Sequence, residues 1–207
     1  MAEMEYIGDV FYDYGGGLYV NMTNKCPCRC AFCIRDMVDS LGDADSLWLK
    51  REPTMNELME MLKEQDLEKY RESVFCGYGE PTERLDCLFK VCDYVKNDPK
   101  LGGRLQTRLN TNGLSDFINK RPTAKEFEGK LDAISISLNA PTAEKYLELC
   151  RPKFGIRSFD EILRFTQEVK EYVPDVTMSV VSGSISSQDI EDCRKIAENL
   201  GVKFRVR

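Results

Sequence analysis

The chain has 207 residues, 42% hydrophobic and 31% charged, with a formal net charge of -6 and no histidine. This length suffices for one compact domain with its own core, and no apolar run approaches the ~20 residues of a membrane-spanning helix. The lack of histidine excludes Ser-His-Asp and Cys-His nucleophiles, HExxH metalloproteases, His-containing zinc fingers and imidazole-based facial triads, leaving thiolates, carboxylates, Lys, Arg, Tyr or a cofactor to carry any catalysis.

The acidic, aromatic start (MAEMEYIGDVFYDY) fits neither a secretory signal nor an Arg-rich transit peptide, so a cytoplasmic location is expected. Residues 10–23 (VFYDYGGGLYVNMT) predict a β-hairpin: two β-branched and aromatic runs joined by three glycines, the second leading straight into a cysteine-rich stretch. Past an Asp-rich loop, Thr54 and Glu57 form a capping-box pattern, and Met55, Leu58, Met59 and Leu62 recur at helical spacing, predicting a helix over about 54–65. A strand (SVFC, 73–76), the turn GYGEPT and a helix carrying Leu85, Leu88, Phe89, Cys92 and Val95 follow. RLQTRLN (104–110) alternates as a strand does and ends at TNG, ahead of a short helix headed by Thr123 and Glu126.

LDAISISLN (131–139) is the clearest strand and ends at AP before the helical TAEKYLEL. Ser158 and Glu161 predict the cap of a helix carrying Ile162, Phe165 and Val169. VTMSVVS (176–182), a helix near 187–200 ending at Gly201, and the strand VKFRVR complete the pattern. Strands alternating with helices predict parallel βα units whose right-handed crossovers put the helices on one side. Six units are too few for a closed eight-stranded barrel. The expected fold is therefore α/β, a partial (β/α)6 barrel of about three quarters of a TIM-like barrel with parallel strands and outer helices; a doubly wound sandwich is the alternative. Residues 1–207 are expected to form a single domain, with the hairpin of 1–23 leading into the first barrel strand.

In parallel βα folds, ligands bind at the carboxyl ends of the strands. The unusual sequences fall there: the cysteines after the first strand, then GYGEP, NTNG, LNAP and VSGS after the next four. One pocket can gather them all. Only the hairpin and the loop 36–53 are left to cover it, which suggests a substrate that is large and fills the opening, or a partner that does.

Four of the nine cysteines, Cys26, Cys28, Cys30 and Cys33, lie within eight residues. In a reducing compartment such density points to metal, whereas the isolated Cys76, Cys87, Cys92, Cys150 and Cys193 read as core filler. Cys26, Cys30 and Cys33, spaced CxxxCxxC, can hold three irons of a 4Fe-4S cluster and leave the fourth open. A zinc site using all four cysteines is an alternative, but such sites draw paired cysteines from two separated segments, and no second pair exists here. An electron-transfer ferredoxin would need a fourth ligand and no nucleotide pocket. Cys28 is expected to face away from the cluster.

CxxxCxxC with an aromatic residue, Phe32, before the last cysteine resembles the signature of the radical S-adenosylmethionine (radical SAM) enzymes, and LYVNMTNKCPCRCAFCIR (18–35) is similar to their TatD-linked subfamily. The resemblance implies a 4Fe-4S cluster on Cys26, Cys30 and Cys33 whose open iron chelates the amino and carboxylate groups of S-adenosylmethionine. Reductive cleavage then gives methionine and a 5'-deoxyadenosyl radical that abstracts hydrogen from a substrate. GYGEP resembles the family's Gly-Gly-Glu motif, directing Gly77, Tyr78, Gly79 and Glu80 to the methionyl amino group, with Tyr78 where the family often has glycine. The strand ending in SLN makes Ser137 and Asn139 candidates for the ribose hydroxyls, and Asn110 and Asn112 face the same end. Arg151 is the candidate partner of the methionyl carboxylate, with Arg205 and Arg207 as further candidates. Strand-end turn residues are the structural alternative for each of these. The implied partners are a reductant such as flavodoxin or ferredoxin and a protein or other macromolecular substrate. No membrane is implied, and the acidic charge disfavours nucleic acid despite the basic RPKFGIR at 151–157. The competing class is a binding module in which the metal is structural.

Overall fold

The structure is a computed structural model and describes residues 6–101 and 103–207. Strands β1 (Phe11–Tyr14) and β2 (Gly17–Val20) pair antiparallel around Gly15 and Gly16, with φ of 59° and 81°. Positive φ at both central residues is what a tight hairpin turn of native twist demands, and glycine supplies it without steric cost. Next come α1 (Met55–Lys63), β3 (Glu72–Phe75), α2 (Leu85–Asn97), β4 (Gln106–Thr111), α3 (Ser115–Asn119) and β5 (Ala133–Ser137). The chain continues through α4 (Ala143–Cys150), α5 (Arg157–Val169), β6 (Asp175–Val180), α6 (Ser187–Asn199) and β7 (Lys203–Val206).

One sheet joins all seven strands in chain order, β1-β2-β3-β4-β5-β6-β7, and every pairing from β2 to β7 is parallel. A doubly wound sheet must reverse its order at a switch point. This sheet never reverses, so successive crossovers of one hand put the helices on a single side. The expected partial barrel of six parallel strands with outer helices is the fold observed, the hairpin adding β1 at one edge.

Alternation along the strands sorts the two faces. Leu18, Val20, Phe75, Leu109, Ile134, Ile136, Met178 and Val180 point into the layer beneath the helices and join one continuous core. There Phe127 meets the rings of Phe89 and Phe165 edge-on, with centroids 5.4 and 6.1 Å apart. The inner face carries the intervening, more polar positions, among them Tyr19, Arg108, Asn110, Ser135, Ser137 and Ser179. Among the described residues no helix is long and apolar enough to cross a membrane.

Two capping expectations change. The capping box at α1 forms, with Thr54 Oγ1 accepting from the Glu57 N–H at 3.3 Å and the Glu57 carboxylate accepting from the Thr54 N–H at 2.8 Å. Ser158 and Glu161, in contrast, lie inside α5, because the preceding turn, with Gly155 at φ 72°, starts that helix earlier. Ser158 is buried with its hydroxyl unpartnered, and Glu161 accepts from Arg164. Thr123 heads only a 3-10 turn (Ala124–Phe127), its hydroxyl bonding Asp116 and Ser115 across to α3, a five-residue helix the apolar period does not signal.

Phe127→Ala empties the aromatic contact between α2 and α5, and a loss of about 3–5 kcal/mol in unfolding free energy is expected. It would be read as a lower denaturant midpoint with an unchanged slope.

Candidate functional site

Polar clasps hold the cysteine loop where it leaves β2. Asn24 Nδ2 donates to the Leu49 carbonyl at 2.7 Å, and its Oδ1 accepts from the Leu49 N–H at 3.1 Å. Thr23 Oγ1 donates to Glu52 at 2.6 Å, and Arg84 spans the carbonyls of Met22 and Pro53 at 3.3 and 2.9 Å. Farther along, the N–H groups of Arg29 and Ala31 donate to the carbonyls of Cys150 and Leu149, both at 2.9 Å, docking the loop on the end of α4. A loop this fully bonded presents its thiols in a fixed arrangement.

Cys26, Cys30 and Cys33 are half-buried and Cys28 is buried. Cys28, expected to face away from the cluster, is buried with its sulfur 3.8 Å from the Tyr146 hydroxyl and 4.0 Å from Asn112 Nδ2, which lies equally far from the Cys26 sulfur. Cys150, expected as core filler, reaches the same group, bonding to Cys30 and accepting from Asn139 Nδ2 at 3.7 Å. Hydrogen bonds from Cys150 and then Cys28 lower the Cys30 thiol well below the usual range, and the bond from Cys28 lowers Cys26. The same bonds to Cys26 and Cys30 push Cys28 up, and burial pushes Cys33 up despite Arg35 nearby. The thiolate is the form in which cysteine binds iron. Among the described residues no three Cys, Asp or Glu side chains are gathered as on a single metal ion. A four-iron cluster instead takes one thiolate per iron at separate corners, and an all-sulfur donor set suits it.

Gly77 and Gly79 mark where the end of β3 presses on this loop. A Cβ at Gly77 would stand 2.1 Å from Asn21 Oδ1, and one at Gly79 would stand 2.1 Å from the Thr23 carbonyl oxygen. Between them Tyr78 turns the other way, its hydroxyl donating to the Val38 carbonyl and its ring meeting Trp48 edge-on at 5.1 Å. The departure from glycine at 78 therefore has a role in packing: it anchors the segment 38–48 beside the site. Glu80 is buried; its N–H donates to the Lys25 carbonyl at 2.8 Å. Its carboxylate accepts from the Thr82 N–H and hydroxyl at 3.1 and 2.8 Å, the Thr111 hydroxyl at 2.7 Å and the Asn112 N–H at 2.7 Å. Burial raises its pKa, and these donors oppose the rise. Glu80 thus ties the ends of β2, β3 and β4 together, with three donors on Oε1 and one on Oε2.

The other sequence candidates divide. Asn139, in the left-handed region at φ 60°, is buried with Oδ1 unpartnered, and Asn112 Nδ2 lies 4.0 Å from the sulfurs of Cys26 and Cys28. Both belong to the thiol group. Arg151 follows α4 at φ 46° with its side chain exposed at the loop's rim, and Phe32 is half-buried against the core. Asn110 and Ser137 lie elsewhere, on the inner face, where they accept from Arg108 and Arg207 at 2.9 and 3.0 Å. Cys150, Tyr146, Trp48 and Arg84 escape a reading by motif. Only the position of Cys150 next to Arg151, at a helix end, could have drawn attention to it.

Residues 20–198 match the Radical SAM superfamily. Among curated relatives, the tungsten-containing aldehyde ferredoxin oxidoreductase cofactor-modifying protein of Pyrococcus furiosus is 26% identical over 193 residues, covering 89% of this chain and 49% of that protein. The chain spans about half the length or less of the curated relatives it matches. Of solved structures, Streptococcus suis SuiB bound to its precursor peptide SuiA superposes with a TM-score of 0.64 at 16% identity, covering 93% of this chain and 39% of SuiB. That of anSMEcpe with bound AdoMet and a peptide gives a TM-score of 0.67 at 18% identity, covering 92% and 50%. With the match running from β2 through α6, the strands and loops that build the site included, the chain belongs to the radical SAM superfamily.

Proposed function

We propose that this chain is a radical SAM enzyme whose Cys26, Cys30 and Cys33 hold a site-differentiated 4Fe-4S cluster. When bound, the cluster and S-adenosylmethionine supply reductive cleavage of the sulfonium and a radical for hydrogen abstraction. The backbone carbonyls of 77–79 and the less occupied Oε2 of Glu80 would receive the methionyl ammonium. Arg151 would pair with the carboxylate, and Ser137, Asn139 and Asn110 would face the ribose side. The observation that carries this reading is the convergence of the cysteine loop, the 77–80 turn and Asn139 at the carboxyl ends of strands in one parallel sheet. The unpartnered Asn139 Oδ1 supports it further, since a buried acceptor left unpaired calls for a ligand donor.

The cysteine stretch supports placement in the TatD-linked subfamily. Residues 1–207 form a single core domain in this reading, acting in the cytoplasm with a flavodoxin or ferredoxin as reductant. A macromolecular substrate is supported by SuiB, which binds the precursor peptide SuiA, and by the peptide bound to anSMEcpe. Tyr78, through Val38 and Trp48, holds the segment that borders the opening to such a substrate.

Anaerobic reconstitution, reduction and addition of S-adenosylmethionine are expected to release 5'-deoxyadenosine; an intact reduced cluster that cleaves none would overturn the reading. Cys30→Ala is expected to abolish cleavage and lower bound iron while Cys28→Ala keeps most of both, and equal losses would refute the ligand assignment. Tyr78→Phe is expected to cost about 1 kcal/mol of stability through the bond lost at Val38. Because Trp48 is the only tryptophan, greater quenching of its emission by acrylamide would report the loosened segment directly.

A further inference from the structure

Two arginines of the last strand region face the inner side of the sheet, and neither has a carboxylate partner among the described residues. Arg205 Nη2 donates to Ser135 Oγ at 3.3 Å, and Arg207 Nη2 donates to Ser137 Oγ at 3.0 Å. Both guanidinium groups reach back over β6 to β5. Among the described residues these hydroxyls are their only side-chain partners, so most of the five donors on each remain open. Arg108, on the same face, shows what a satisfied arginine does here: it forks onto Glu72 with two bonds of 2.9 Å and gives a third to Asn110.

A second observation lies beneath them. Ser179 pairs in register with Ser137 on one side and Arg205 on the other, and its buried hydroxyl has no partner among the described residues. Two cations and an unsatisfied hydroxyl therefore meet in one place, in a protein whose net charge is -6. Planar, open donor forks match the oxygens of a carboxylate or phosphate, and serine hydroxyls complete such a shell.

We infer that Arg205 and Arg207, with Ser135 and Ser179, form the recognition site for an oxyanion of the substrate, a carboxylate or a phosphate. The inference rests on the proposed function, under which the methionyl group lies against the ends of β2 and β3 and the ribose toward β4 and β5. Three strands separate β3 from β7, so an anion held at β7 leaves the rest of the substrate to extend toward the reacting centre.

The test is calorimetric titration of the reconstituted full chain with inorganic phosphate, with acetate and with S-adenosylmethionine. Arg205→Gln combined with Arg207→Gln is expected to weaken binding of the preferred anion about tenfold or more, with the Lys pair recovering part of it. S-adenosylmethionine affinity should fall about threefold at most, since the one group shared with the cofactor is Ser137, through its bond to Arg207. Tighter phosphate than acetate identifies a phosphorylated substrate, and the reverse a carboxylate. A parallel loss of S-adenosylmethionine binding would overturn the inference by assigning the arginines to the cofactor's carboxylate, and anion binding indifferent to the substitutions would overturn it outright. Should the substituted protein not fold, phenylglyoxal modification of the unaltered chain decides: phosphate or acetate must shield Arg205 and Arg207 in the peptide map, and no shielding refutes the site. None of these readouts needs turnover, so absence of 5'-deoxyadenosine would count against the proposed function without touching the anion site.

Discussion

The ends of β2 and β3 approach each other so closely that positions 77 and 79 have no room for a side chain, a Cβ at either meeting an oxygen of the neighbouring segment at 2.1 Å. That contact lets the Glu80 N–H reach the Lys25 carbonyl and puts its buried carboxylate among donors from the end of β4. A buried carboxylate persists only if it is hydrogen-bonded, and here Thr82, Thr111 and Asn112 supply four donors, three on Oε1 and one on Oε2. The cysteine loop, the glycine turn and the Asn112 turn thus form one bonded unit, and loosening any of them exposes the same buried charge.

The thiols show a comparable economy. Cys28 and Cys150 belong to the core by burial, yet both hydrogen-bond toward the half-exposed Cys30. A thiol that donates to a thiolate stabilises the charge on sulfur without adding one of its own. Asn139 and Tyr146 then fix the donors in turn, at 3.7 and 3.8 Å. Their contribution is position: Cys28 and Cys150 are held by Tyr146 in α4 and by Asn139 just past β5, far from the motif in the chain.

The sequence made the strand order legible because each βα unit carries its own periodicity, and it made the cysteines legible because their spacing is local. Failures occurred where tertiary contact decided. Ser158 and Glu161 have capping-box spacing, but Gly155 starts α5 early and buries both. Cys150 reads as an apolar residue in a helix, and nothing near it in the chain announces that Cys30 lies beside it. Tyr78 looks like a departure from a glycine motif until Val38 and Trp48 are seen against it. Asn110 and Ser137 sit at strand ends as expected, but whether they meet the thiols or the arginines depends on the face, which the alternation fixed only once the register was known.

The two edges of the sheet are unlike. At one, the hairpin turn at Gly15 and Gly16 folds β1 back onto β2, so the first barrel strand pairs on both sides. At the other, β7 carries Lys203 and Arg205 at alternate positions, both exposed. Charged side chains along an edge discourage another chain from adding a strand there. The same alternation that points Arg205 into the curve thus also makes β7 a poor template for strand addition by another chain, an effect independent of any chemistry at the cluster.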